Sequence, residues 1–225
     1  MQYQGMLAYV VYTGGKDADV LVTEHHITDG VVGAGSPISK RSLLDLCSIV
    51  MPTIKESPKF LEENILGYSP TTDTLVWWKR PGTDNLFFSQ KDIKSGRAPL
   101  PGLIFKVQQG HMSMWAVKVK TRPTPTTELY NAPFFNVSNS VCMGNTPLPG
   151  TATPENYLEW EKAFFNSSFS GDWTPPLKGI KGKVLWQALV NRNIKEFPVK
   201  YLSPIKDTDK KPVTLASIFI SNYHN

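Results

Sequence analysis

The sequence predicts an α+β protein with an antiparallel sheet. Three observations carry that expectation. Segments rich in β-branched and aromatic residues recur up to Lys120, a proline-rich stretch occupies 121–153, and helical periodicity dominates the remainder of the chain. Strands first and helices afterwards favour an antiparallel sheet of hairpin-linked strands flanked by helices. A chain of 225 residues, 40% hydrophobic, is long enough for one sizeable core or a core with an appended subdomain.

The first strand is expected at 6–12, ending on the turn signal Thr13-Gly14-Gly15, with its hairpin partner at 20–28. A Gly-rich connection, 30–37, comes next. Residues 1–37 are therefore expected to form an N-terminal β-hairpin extension packed on a core domain at 38–225. A helix is expected at 39–50, with Ser39 as N-cap and Leu43, Leu46, Cys47 and Val50 on one apolar stripe. On that stripe Cys47 serves as a small packing residue.

An antiparallel meander of four strands should come after it. Residues 74–78 and 85–89 are expected to pair through a turn at Pro81-Gly82, and 103–108 and 113–120 through a turn at Gly110. Met112 and Met114 suit core filling. Trp77, Trp78 and Trp115 suit the core better than a base-stacking platform. The stretch 121–153, punctuated by Pro123, Pro125, Pro133, Pro147 and Pro149, is a long loop of the kind that carries function. It ends on a helix start: Thr153 as N-cap, Pro154 at the first helical position, Glu155 at the positive end of the dipole. Tyr157, Trp160, Glu161 and Phe164 continue at helical spacing. A last helix is expected at 181–191 with Val184, Leu185, Ala188 and Leu189 inward, then a tail with an apolar piece at 213–220.

The net charge is +5, but no run of five or six like charges exists, and clusters such as Lys178, Lys181 and Lys183 suit a solvated surface better than a nucleic-acid interface. The two cysteines, Cys47 and Cys142, are too few for a disulfide framework and lack metal-ligand spacing. His25 and His26 would point to opposite faces of a strand and cannot easily share an ion. The N-terminus lacks the charged start of a signal peptide, and no apolar stretch approaches the length of a membrane span. Free thiols in a reducing cytoplasm are the expectation.

Cys142, inside the long loop, is the leading candidate for chemistry. The alternative is a buried packing cysteine at a loop–helix junction. A cysteine hydrolase needs a histidine base, and nothing in the sequence brings His25, His26, His111 or His224 to Cys142. The local pattern is Pro133-Phe134-Phe135-Asn136, a turn through Ser138 and Asn139, then Val141-Cys142-Met143-Gly144. This pattern, placed after a meander and before helices, resembles the active-site region of ubiquitin-conjugating (UBC) enzymes.

The likeness is closer to a bacterial branch, the PRTRC system protein B family of plasmid cassettes. It rests on Thr23-Glu24-His25-His26, Leu75-Val76-Trp77-Trp78, the 101–107 piece, Trp115-Ala116 and the stretch from Trp160 to Phe169 with Phe164-Phe165-Asn166-Ser167. The resemblance implies a UBC-like fold. It also implies a cysteine that accepts the C-terminal acyl group of a ubiquitin-like modifier as a thioester and passes it to an amine or another thiol. A modifier protein, a ThiF-like activating enzyme and a JAB-type metallopeptidase of the same cassette are the implied partners. No cofactor is implied, because ATP is consumed by the activating enzyme.

The chain departs from the eukaryotic pattern at two points. Phe134 stands where that pattern opens with His, and Asn136 precedes Cys142 by only six positions. Asn136 is therefore either an oxyanion helper or a turn residue whose amide bonds the local backbone. Two other functions remain open: a non-catalytic adaptor of the same fold, and a DNA-associated plasmid maintenance protein.

Overall fold

A computed structural model describes residues 7–13, 20–39, 41–42, 60–138, 140–170, 173–192 and 194–220. Most of the helix expected at 39–50, with Cys47, lies outside the described residues, as do Asn139 and His224. The chain divides into two compact units, Met1–Lys59 and Phe60–Asn225. The architecture is mixed α and β with mostly antiparallel sheets and few helices. No described helix is long and apolar enough to cross a membrane.

The first unit holds an antiparallel three-stranded sheet of β1 (Leu7–Thr13), β2 (Val20–Thr28) and β3 (Val31–Pro37). The stretch expected as a Gly-rich connection is thus a strand. Asp29 and Gly30 both take positive φ, 52° and 78°, and Thr28 pairs with Val31 across them. That is a two-residue type I′ turn, for which Asp-Gly is among the strongest hairpin signals. Gly33 and Gly35 further on give the strand the composition of a loop.

In the second unit a five-stranded antiparallel sheet runs in the order β10-β9-β8-β5-β4. Its strands are β4 (Ile65–Ser69), β5 (Thr74–Lys79), β8 (Gly102–Gln108), β9 (His111–Val117) and β10 (Tyr130–Asn131). Between β5 and β8 the chain makes β6 (Gly82–Phe88) and β7 (Gly96–Leu100). The expected hairpin between 74–78 and 85–89 does not form. Instead β5 pairs with β8 and β6 with β7, in one register: Lys79 faces Leu103 and Gly82 faces Leu100. The two pairs are one long ribbon that passes straight through Pro81 and turns only near residues 89–95.

Period-2 alternation explains how the sheet is buried on both faces. Leu75 and Trp77 of β5, Phe105 of β8 and Met112 and Met114 of β9 join one core cluster, while Val76, Trp78, Ile104 and Val117 join another. The expected core role of Met112, Met114, Trp77 and Trp78 agrees with their exposure of 3% or less.

The first cluster is closed by α1 (Tyr157–Asn166) and α2 (Gly182–Leu189). Helix α1 starts later than the sequence suggests: Asn156, not Thr153, occupies the cap position, and its Oδ1 accepts the Thr153 backbone N–H at 2.9 Å. Helix α2 buries Leu185, Trp186 and Leu189, whereas Val184 is exposed and Ala188 faces solvent, contrary to expectation. Trp186 takes the inward place because its indole N–H donates to the Pro133 carbonyl at 2.7 Å and its ring stacks on Phe134. A short strand, β11 (Ser168–Phe169), pairs parallel with β6. The C-terminal segment returns beside the long loop, with backbone bonds from Leu129 to Val213 and from Leu215 to Thr127, and ends in α3 (Ser217–Ile220).

Candidate active site

The loop before α1 is anchored in the core at Phe134. This side chain is fully buried, stacked on Trp186 of α2 and set edge-on to Phe164 of α1 at 5.2 Å. Phe135 is also buried. Phe134, which stands where the eukaryotic pattern opens with His, is therefore a packing residue shared by both helices. Burial of two aromatic rings here fixes where the chain enters the cysteine loop.

The loop then closes on itself. Cys142 N–H donates to the Asn136 carbonyl at 2.8 Å, and Asn136 Nδ2 donates back to the Cys142 carbonyl at 3.1 Å. Val137 and Val141 form an isolated antiparallel bridge, and Val141 N–H donates to the Met112 carbonyl of β9 at 2.9 Å. The second hydrogen of the Asn136 amide goes to Ser167 Oγ at 3.3 Å; that hydroxyl itself donates to the Phe164 carbonyl at the end of α1. Asn136 and Ser167 are both buried, and Asn136 Oδ1 is a buried acceptor without a partner among the described residues. The sheet thus holds the loop at Val141, and the end of α1 holds it through Ser167 and Asn136.

Cys142 itself is exposed and free. It opens onto a groove of about 1000 Å³ lined by residues 142–149 of the loop, by Glu159, Lys162, Ala163 and Asn166 of α1, and by Trp173. The helical residues recur at three- and four-residue spacing, which puts them on one face. No histidine is among the described residues that line the groove. His111 is exposed at the start of β9, and His25 is hydrogen-bonded within the first unit to Thr23 and the Gly33 carbonyl. An accessible thiol with no histidine partner among the described residues suits exchange with an acyl group that is already activated better than attack on an amide.

A family model described as prokaryotic E2 family D matches residues 42–205. The chain belongs to prokaryotic E2 family D. No curated protein and no solved structure matches it. The family D match takes in the cysteine loop, the five-stranded sheet and both long helices, and it ties the chain to ubiquitin-like conjugation. A ubiquitin-like modifier and an activating enzyme are partners of such a family in general.

The two residues singled out from the sequence, Cys142 and Asn136, are brought together by direct hydrogen bonds. Ser167 was missed as a site residue, as were the groove residues Glu159, Lys162 and Trp173. A signal for Ser167 existed in the Phe-Phe-Asn-Ser stretch that ends α1. Its meaning depends on a partner 31 residues away.

Proposed function

We propose that this family D protein is a cysteine acyl carrier of a bacterial modifier cascade. Cys142 thiolate attacks the thioester carbonyl that links a modifier's C-terminus to its activating enzyme. The new carbon–sulfur bond forms as the enzyme's thiolate leaves. An amine or a further thiol then attacks the acyl carbon, and the Cys142 thiolate leaves. The attacking amine releases its proton to solvent or to a neighbouring base. Exchange between two thiols of similar acidity needs no strong base.

The observation that carries this reading is the exposed Cys142 thiol on a loop braced from both the sheet and α1 beside an open groove. The PRTRC cassette would supply a ThiF-like activating enzyme and a co-encoded modifier, with residues 1–37 as an N-terminal β extension. Asn136 acts as a positioning residue, since both hydrogens of its amide are engaged within the protein.

The test is to incubate the protein with that activating enzyme, the modifier and ATP. The expected product is a modifier adduct cleaved by added thiol and absent in Cys142→Ala. A protein that binds the modifier without forming such an adduct is an adaptor, and the proposal fails.

A further inference from the structure

The chain carries a net charge of +5. Part of the surplus converges on a second cavity, of about 320 Å³, that shares no residue with the cysteine groove. That volume falls within the range of ligand sites. The cavity lies where the ribbon of β5–β6 and β7–β8 is interrupted. The register that pairs Lys79 with Leu103 and Gly82 with Leu100 puts Pro81 opposite Pro101. Neither proline has an N–H, so the ladder opens at this point.

The cavity has an apolar floor and a basic rim. Leu100, Pro101, Gly102, Val117 and Phe197 line it and are buried. Arg80, Lys118, Lys120 and Lys195 surround them, with Glu196 as the one carboxylate. Lys120 holds that carboxylate at 2.7 Å, and Arg80 is paired outward with Glu63 at 2.6 Å. Lys118 and Lys195 have no carboxylate partner among the described residues; Lys118 Nζ lies 4.4 Å from the centre of the Tyr130 ring.

A second observation has the same polarity. The Trp78 indole N–H is a buried donor without a partner among the described residues, in a side chain 1% exposed. A Cβ placed on Gly102 would lie 3.3 Å from that nitrogen, so the N–H sits directly behind the cavity's glycine wall. A buried donor left unpaired is costly and rare. Apart from Glu196, the polar side chains at this cavity among the described residues are donors and cations that call for acceptors.

We propose that this cavity binds a short acidic peptide segment of a partner protein. One apolar side chain enters between Leu100, Val117 and Phe197, and flanking carboxylates pair with Lys118 and Lys195. A peptide fits better than nucleic acid, because the cations ring one cavity instead of tracking a line of phosphates. The cavity's one aromatic ring, Phe197, is buried and offers bases no stacking face. The inference is independent of the reading of Cys142.

The experiment is an NMR titration of the isotope-labelled full chain with a short peptide of Asp and Glu around a central Leu. The expected result is saturable movement of the Trp78 indole, Gly82 and Gly102 N–H signals. The affinity should fall at least about tenfold in Lys118→Glu/Lys195→Glu and weaken with added salt. The control Lys206→Glu/Lys210→Glu removes the same charge elsewhere and should retain binding, and unperturbed spectra elsewhere verify that both variants fold. Absence of those shifts, equal weakening in the control pair, or tighter binding of a short DNA duplex at the same signals would each overturn the proposal.

Discussion

Asn136 and the backbone of Cys142 hold each other: the asparagine side-chain amide donates to the cysteine carbonyl at 3.1 Å, and the cysteine N–H donates to the asparagine backbone carbonyl at 2.8 Å. Only the first of these bonds depends on the side chain. Asn136→Ala therefore strips a donor from the Cys142 carbonyl and from Ser167 Oγ while leaving the backbone bond in place. A loss of about 1–3 kcal/mol in folding stability is expected by denaturant unfolding. Thioester formation and discharge to amine should slow together, because the loop that carries the thiol loosens. A selective loss of discharge with unchanged loading would assign Asn136 to the oxyanion instead.

Cys142→Ser tests the other half of the pair. The side chain is exposed and makes no packing contribution to the core. Stability should stay within about 0.5 kcal/mol of the parent. The thiol-cleavable adduct should disappear, as monitored by gel mobility with and without reductant.

Glu161 is a buried carboxylate on α1 that accepts the Trp77 indole N–H at 3.0 Å and the Lys79 ammonium at 2.7 Å. It links the helix that walls the groove to β5, an inner strand of the sheet. Glu161→Ala leaves the buried Trp77 N–H unmatched and leaves Lys79 its longer pairing with Asp84 at 3.6 Å, and should destabilise the protein by about 1–3 kcal/mol. In a double-mutant cycle with Lys79→Met, a coupling near zero would show that the pair contributes nothing beyond packing.

Gly102 tests the ribbon. A Cβ there would meet Val117 Cγ2 at 2.8 Å and both Trp78 Nε1 and the Val119 carbonyl at 3.3 Å. Gly102→Ala should cost about 1–3 kcal/mol through overpacking. At Gly82, across the same break, the nearest atom to a new Cβ is the Arg80 carbonyl at 3.8 Å, so Gly82→Ala should be tolerated. Thermal unfolding of the two variants side by side checks the contrast.

Tyr130, on the strand that leads into the cysteine loop, has its phenol pushed up to about 12, chiefly by burial and then by its hydrogen bond to Glu128. A group whose pKa is raised on folding contributes stability that is complete below its unfolded pKa and lost as pH rises through the folded one. Tyr130 should therefore stabilise the fold up to about pH 10, its ordinary pKa, and that contribution should fade as pH rises toward 12. Difference absorbance of the phenolate, parent against Tyr130→Phe, checks the late titration. A Tyr130 signal that ionises at the ordinary value would contradict it.

Much of the strand content was legible because alternation is a local property. Leu75-Val76-Trp77-Trp78 divides cleanly between two core clusters, as period 2 requires of a strand covered on both faces. The Pro154-Glu155 start announced α1 to within a few residues, since caps act over a single turn. The Asp29-Gly30 hairpin was also written in two adjacent residues, although the glycines around it obscured the strand beyond it.

How those pieces pair was decided only by the tertiary structure. Pro81-Gly82 carries a strong turn signal, yet the ribbon keeps one register from Thr74 to Leu86, because burying Trp77, Leu86 and Leu100 outweighs a local turn preference. The sequence by itself pointed to Cys142 as the reactive thiol and to Asn136 as its neighbour. The hydroxyl of Ser167, the carbonyl of Met112 and the stacking of Trp186 on Phe134 complete the brace, and each comes from a distant element. Such long-range contacts leave no periodicity in the chain. They exist only once sheet and helices have packed around a shared core.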